Sequence, residues 1–176
     1  MPTEDLACRL KDVALLRGEF TLRSGRKSSY YFDKYRFETH PGLLKAVAKE
    51  FAAMLPDDVD RLAGPALGGV PLVTAVALET GLPFVIVRKE SKGYGTDKRI
   101  EGILEAGDRI VMTEDVVTTA GAALDAVEAL RAAGAGSVTA LVVLDRQEGA
   151  AEAFAAADVP YKALFTSESL GIGDDP

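Results

Sequence analysis

Apolar residues in the first stretch of the chain recur at three- and four-residue intervals. Leu6, Leu10, Val13 and Leu15/Leu16 predict an amphipathic helix over about 4–17 that Gly18 closes. Phe20-Thr21-Leu22 and Ser29-Tyr30-Tyr31-Phe32 then read as short strands around the turn Ser24-Gly25-Arg26-Lys27, a small N-terminal hood. Thr39-His40-Pro41-Gly42 puts proline in the first turn of a second helix, whose face is Leu43, Leu44, Val47, Phe51 and Met54/Leu55 and which ends before Pro56-Asp57-Asp58. From there strands and helices alternate. Strands are expected at 61–64, 84–87, 109–113, 138–144 and 161–165, and helices near 69–80, 121–133 and 149–157, with Gly81 and Gly134 as helix stops. A charged, glycine-punctuated connection of about 88–107, expected to be mobile, interrupts the alternation. Such a pattern predicts an α/β fold, a parallel sheet flanked by helices, in which ligands sit beyond the carboxyl ends of the strands. One domain over 1–176 is expected, with residues 1–58 as N-terminal helices and hood and 59–176 as the core.

Composition narrows the partners. A chain of 176 residues with 48% hydrophobic residues is long enough for its own core. The net charge of -7 argues against a surface built to track nucleic-acid backbones. No run approaches the roughly 18 apolar residues of a membrane span, and charges within residues 1–20 break any secretory apolar core. Cys8 has no partner for an internal disulfide, so a reducing, cytoplasmic location is expected. Cys8 itself reads as a small buried residue, and His40 as structural. Against the acidic background, basic residues cluster at Arg23, Arg26, Lys27, Lys34 and Arg36 and again at Arg88, Lys89, Lys92, Lys98 and Arg99. Two cationic patches on an acidic protein suggest a small anionic ligand.

The most informative stretch is Ile110-Val111-Met112-Thr113-Glu114-Asp115-Val116-Val117-Thr118-Thr119-Ala120-Gly121-Ala122. It reads as an apolar strand, two acids at its end, and a loop of small and hydroxyl residues opening a helix. Small residues let backbone N–H groups wrap a phosphate, threonines add hydroxyl donors, and the helix dipole favours the anion. Glu114 and Asp115 suit the hydroxyls of a ribose, or a phosphate-bound Mg²⁺, and their charge would stabilise cationic character at an anomeric carbon. The pattern is neither Walker A nor the three-glycine dinucleotide fingerprint. Taken alone, Asp115 would also pass for a loop acid near a helix start, and Asp145-Arg146 for a surface ion pair.

This stretch resembles the phosphoribosyl pyrophosphate (PRPP) motif of the type I phosphoribosyltransferases, and residues from about Gly18 to Leu170 resemble the orotate-specific branch of that family. The run Gly18 to Phe32 is similar to the family's N-terminal signature. The resemblance implies that Arg23 is the base-pocket cation, where lysine is usual, and that Tyr31 and Phe32 are its aromatics. In Leu144-Asp145-Arg146-Gln147-Glu148-Gly149 it makes Arg146 the reader of the orotate carboxylate or ring carbonyl, with Thr118 also on the base. It implies that Val116, Val117, Thr118, Thr119, Ala120, Gly121 and Ala122 hold the 5-phosphate, and that Glu114 and Asp115 hold the ribose. Arg88, Lys89 and Lys92 would reach PRPP across a homodimer, Lys92 serving the pyrophosphate and, with Asp115, the chemistry. Pro65 to Pro71 resembles the pyrophosphate loop.

The implied activity is transfer of ribose 5-phosphate from PRPP to orotate in de novo pyrimidine synthesis. Mg²⁺ would be carried by the pyrophosphate rather than by a direct protein site. Three positions depart from the pattern: Tyr94 where His is common, Leu67-Gly68 where some relatives have Tyr-Lys, and Ala120 for a glycine. Ala120 fits only if its backbone avoids positive φ. An enzyme of the same fold acting on another base and a catalytically silent PRPP-binding regulator are the rival readings.

Overall fold

The structure, a computed structural model, describes residues 4–21, 25, 27–90 and 98–172. Arg23, Lys92 and Tyr94 lie outside the described residues. Helix α1 (Glu4–Ala14) buries Leu6, Leu10 and Ala14, the i, i+4, i+8 stripe of an amphipathic helix. Cys8 points away from that stripe and is exposed, contrary to the expectation of burial. The helix is also shorter than its periodicity suggests, because Leu15 and Leu16 start strand β1 (Leu15–Thr21). That strand pairs antiparallel with β2 (Lys27–Phe32), Leu15 opposite Phe32 and Thr21 opposite Lys27. Between Arg17 and Phe20 the register slips by one residue, so Gly18, at φ 153°, belongs to a bulge and not to a helix stop.

Helix α2 (Lys34–Glu38) is unexpected from sequence, since five residues are too few to show a period. Its Phe37 is fully buried and meets the Phe32 ring with centroids 6.1 Å apart, a burial contributing about 2–3 kcal/mol. Helix α3 (Pro41–Met54) follows, its start capped by His40, whose Nδ1 accepts the Leu43 N–H at 3.3 Å. His40 is thus structural, as read from its place before Pro41.

The core sheet contains β3 (Arg61–Pro65), β4 (Phe84–Val87), β5 (Ile100–Glu101), β6 (Arg109–Val117), β7 (Ser137–Asp145) and β8 (Tyr161–Thr166). Their order is β5-β4-β3-β6-β7-β8, parallel except for β5, which runs antiparallel to β4. That two-residue strand lies inside the predicted 88–107 connection and was too short to read from pattern. Helices α4 (Gly69–Thr80), α5 (Gly121–Ala132) and α6 (Ala150–Ala156) make the crossovers, and α7 (Ser167–Leu170) follows β8. Two apolar clusters cover the two sheet faces. Leu62, Val111, Leu141 and Val143 pack with α1, α3 and α4, while Ala63, Met112, Ala140 and Val142 pack with α5 and α6. A parallel sheet buried on both faces explains why its strands read as continuous apolar runs.

Strand β3 pairs with β6 only as far as Ala63 and Met112. Beyond that point β3 continues along β4 to Pro65 opposite Val87, and β6 continues along β7 to Val117 opposite Asp145. The connections from β3 and β6 depart to opposite sides, so a crevice opens between the carboxyl ends of the two central strands. Helix α4 starts hard against this point. A Cβ on Gly64 would stand 2.5 Å from the Gly69 carbonyl oxygen, so only glycine permits that approach.

Candidate active site

Glu114 and Asp115 are not beyond the end of the strand, as the sequence suggests, but inside it. Val116 and Val117 extend β6 by pairing with Leu144 and Asp145 of β7, so the phosphate loop shortens to Thr118, Thr119 and Ala120. The Val117 side chain is buried, and Val116 packs against the core. Thr118 and Thr119 are exposed at the head of α5, followed by Gly121 and Ala122. No side chain caps this helix, so its first-turn N–H groups face outward with the positive end of the dipole. Ala120 takes φ 59° and ψ 6°, the left-handed conformation that the sequence reading required it to avoid. The sharp turn from strand to helix imposes that conformation on whatever residue stands there, and its methyl is buried.

Asp115 is fully buried and is held on three sides. Its Oδ1 accepts the Val116 N–H, and its Oδ2 pairs with Lys34 Nζ at 2.7 Å. The third neighbour is Glu38, only 2% exposed. Lys34 and Glu38 are four residues apart on α2 and therefore share a face, with Phe37 anchoring the helix to the core. Neither Glu38 oxygen has a donor in reach, so Glu38 meets the Asp115 carboxylate only as a neutral acid donating its own proton. Burial and the Asp115 charge push the Glu38 carboxyl up to about 9, against the weaker pull of Lys34. Burial and Asp115 also raise Glu114 above the usual carboxylate range. Burial opposes charge on Lys34, but attraction to Asp115 outweighs it and the ammonium is held more firmly than usual.

A cavity of about 450 Å³ opens beside this cluster, lined by Lys34, Pro65 to Gly68, Arg88, Lys89, Arg99, Glu114 and Ala122 among others. Gly68 is the close point: a Cβ there would collide with Asp115 Oδ2. The peptide bond between Ala66 and Leu67 is cis. Arg99 forks onto Asp125 of α5, with Nη1 to Oδ1 at 3.2 Å and Nη2 to Oδ2, while its Nε donates to the Arg88 carbonyl at 3.1 Å. Arg88 is thereby tied to the wall of the cavity. A larger groove of about 760 Å³ runs between residues 98–104 and α5. Its lining is mainly Ile100, Ile103, Leu104 and alanines, and it lies away from the strand ends and their acids.

Arg146 leaves the end of β7 beside the phosphate loop, its N–H donating to the Val117 carbonyl at 2.9 Å. It is not paired with Asp145, which instead accepts the Tyr161 hydroxyl at 3.0 Å and the Gln147 N–H at 2.7 Å. The Arg146 guanidinium reaches Tyr30 Oη at 3.0 Å, stands over the Tyr30 ring, and pairs with Glu148 at 3.2 Å. Among the hood aromatics it is Tyr30 that meets Arg146. Tyr31, on the opposite strand face, is 43% exposed and packs on Phe20, and Phe32 is a core side chain against Phe37. Phe32 shares the inward face of β2 with Tyr30 and packs in the hood core. Arg146, Thr118 and Tyr31 do not line the 450 Å³ cavity. Sequence reasoning placed Lys34 only in a cationic patch and passed over Glu38, four residues on from it.

A family model described as a phosphoribosyl transferase domain matches residues 36–159. The orotate phosphoribosyltransferase of Halobacterium salinarum is 50% identical over 169 residues, 96% of each chain. That of Natronomonas pharaonis is 48% identical over 171 residues, covering 97% of this chain and 98% of the relative. Among solved structures, Aeropyrum pernix orotate phosphoribosyltransferase superposes with a TM-score of 0.82 at 37% identity, over 94% of this chain and 95% of that one. The Mycobacterium tuberculosis orotate phosphoribosyltransferase solved with PRPP does so with 0.80 at 31% identity, over 96% and 98%. With an acid-bearing central strand, a bare helix start and matches of this length, the chain belongs to the phosphoribosyl transferase domain family and, within it, to the orotate phosphoribosyltransferases.

Proposed function

We propose that this chain transfers ribose 5-phosphate from PRPP to orotate, giving orotidine 5′-monophosphate and pyrophosphate in pyrimidine synthesis. The observation that carries this reading is the register of β6 on β7. It brings Arg146, with its guanidinium fixed by Tyr30 and Glu148, alongside the open helix start and the buried Asp115. A fixed fork of donors suits a planar carboxylate, and bare N–H groups suit a phosphate.

In this reading Thr118, Thr119, Ala120, Gly121 and Ala122 hold the 5-phosphate, with Val116 and Val117 anchoring that loop to the sheet. Glu114 and Asp115 take the ribose hydroxyls, and Asp115 stabilises positive charge as the C1–O bond to pyrophosphate breaks and N1 of orotate bonds to the opposite face. Arg88 and Lys89 meet pyrophosphate on the cavity side, joined by Lys92. Arg146 and Thr118 orient orotate, with Arg23 and Tyr31 on the hood side. Positioning and electrostatics supply most of the acceleration.

Carboxylates near the crevice suit a hard cation that arrives with phosphate oxygens, and no group of three or more ligating side chains occurs among the described residues. Mg²⁺ would be carried by the pyrophosphate of PRPP, with Glu114 and Asp115 on the ribose beside it, and would neutralise charge on the departing group. We further propose one domain over 1–176, a cytoplasmic location and a homodimer in which the loop bearing Lys92 is shared across subunits. No helix among the described residues is long and apolar enough to cross a membrane. Mixing inactive Lys92→Ala and Asp115→Asn chains tests the shared site, since one competent site should reappear in mixed dimers. The activity is tested by the absorbance of orotate on adding PRPP and Mg²⁺, with adenine, hypoxanthine and uracil in parallel. Consumption of orotate that needs both additions supports the reading, and turnover of another base instead overturns it.

A further inference from the structure

Lys34 reaches into the crevice as far as Asp115. Its Nζ stands 2.7 Å from Asp115 Oδ2 and 3.0 Å from the point where a Gly68 Cβ would be, and its side chain is about one third exposed along the cavity. The loop that closes the same side, Ala66-Leu67-Gly68, carries no charge, and Leu67 is 68% exposed. Arg99, which also lines the cavity, is already forked onto Asp125. An ammonium has three donors, of which Asp115 engages one, and its four-carbon stem lets it turn without moving α2. With Glu38 neutral beside it, the local balance at Asp115 is one cation on one anion. A sugar hydroxyl that takes an Asp115 oxygen must share it with that cation or displace it.

We propose that Lys34 is a substrate-contacting residue: in the empty site it pairs with Asp115, and when a ribose diol occupies Asp115 it turns to the diphosphate on C1 of the same sugar. This inference rests on the reading of the crevice as a PRPP site and adds to it a cation supplied by the hood segment. Asp115 Oδ1 keeps the Val116 N–H in both arrangements, so release of Lys34 does not leave Asp115 without a donor. The short helix that presents Lys34 directly follows the strand carrying Tyr30, so one segment serves the base reader and the sugar–diphosphate side.

The test is the affinity of wild type, Lys34→Met and Lys34→Gln for two probes, PRPP with Mg²⁺ and ribose 5-phosphate, by titration calorimetry. Glutamine keeps a donor for buried Asp115 and guards against a variant that fails to fold. Both variants are expected to bind PRPP at least about ten-fold more weakly, the loss of one charge-assisted hydrogen bond, while ribose 5-phosphate binding is unchanged or tighter. In turnover the KM for PRPP should rise and that for orotate should not. Equal weakening of both probes would make Lys34 only a support for Asp115, and unchanged PRPP affinity would remove it from the site; either result overturns the proposal. Wild type that binds neither probe would instead overturn the reading of the crevice itself.

Discussion

Replacing Glu38 by glutamine isolates the charge state of the buried acid beside Asp115. The carboxyl ionises near 4.5 in the unfolded chain and only at about 9 in the folded one, because burial and the Asp115 charge both disfavour a second anion. The folded protein therefore keeps a proton that the unfolded chain loses as pH rises through this window, and stability falls with pH throughout it. The slope for one proton is roughly 1.4 kcal/mol per pH unit, so between pH 5.5 and 8 wild type loses about 3 kcal/mol through Glu38. Glutamine is neutral at every pH, keeps the volume, and donates an amide N–H to Asp115 where the neutral acid donated its proton. The groups facing the position are Lys34 from its own helix and Asp115 and Glu114 from β6. Urea unfolding of both proteins from pH 5.5 to 8 should show Glu38→Gln more stable, with an advantage that grows by about 3 kcal/mol across the range. Orotate turnover at neutral pH should stay within about three-fold, since the side chain is uncharged in both. A stability difference that does not change with pH, or an advantage that passes to wild type at high pH, would mean that Glu38 is ionised and bound to Lys34, and the account of the cluster would fail.

The other predictions test single contacts. Gly68→Ala drives a methyl into Oδ2 of the buried Asp115, so although its φ of -61° suits any residue, the thermal midpoint should fall and the KM for PRPP should rise about ten-fold or more; unaltered PRPP kinetics would count against the crevice. Arg146→Ala should raise the KM for orotate by about 10- to 100-fold and that for PRPP little. Tyr30→Phe, which removes only the hydroxyl holding that guanidinium, should raise the orotate KM several-fold, on the order of 1 kcal/mol, and an equal effect on both substrates would refute its role. Ala120→Gly relieves a left-handed alanine worth about 1–2 kcal/mol but gives up a buried methyl worth about 0.8 kcal/mol. Its midpoint in urea should match wild type or exceed it by up to about 1 kcal/mol; a clear loss would show that the turn does not strain residue 120.

Periodicity and local chemistry carried much of this protein on their own. The five main core strands and their crossover helices follow from apolar runs punctuated by Gly81 and Gly134, because a strand buried on both faces must be apolar throughout and a helix must stop where its backbone turns. Glu114, Asp115 and the small residues after them stood out as a candidate phosphate and sugar site for the same local reason. What sequence left undecided depends on contacts between distant segments. Leu15 and Leu16 fit a helix until β2 pairs with them, and Val116 and Val117 fit a loop until β7 extends the ladder past the acids. Alternation along β2 could be read, but not that the packed hood presents Tyr30 to Arg146. The cluster of Lys34, Glu38 and Asp115 spans about eighty residues of sequence, and neither the ion pair nor the neutral acid exists until α2 closes over β6. Covalent spacing determines which residues share a face, whereas the charge state of a buried group is set by neighbours that only the folded chain brings together.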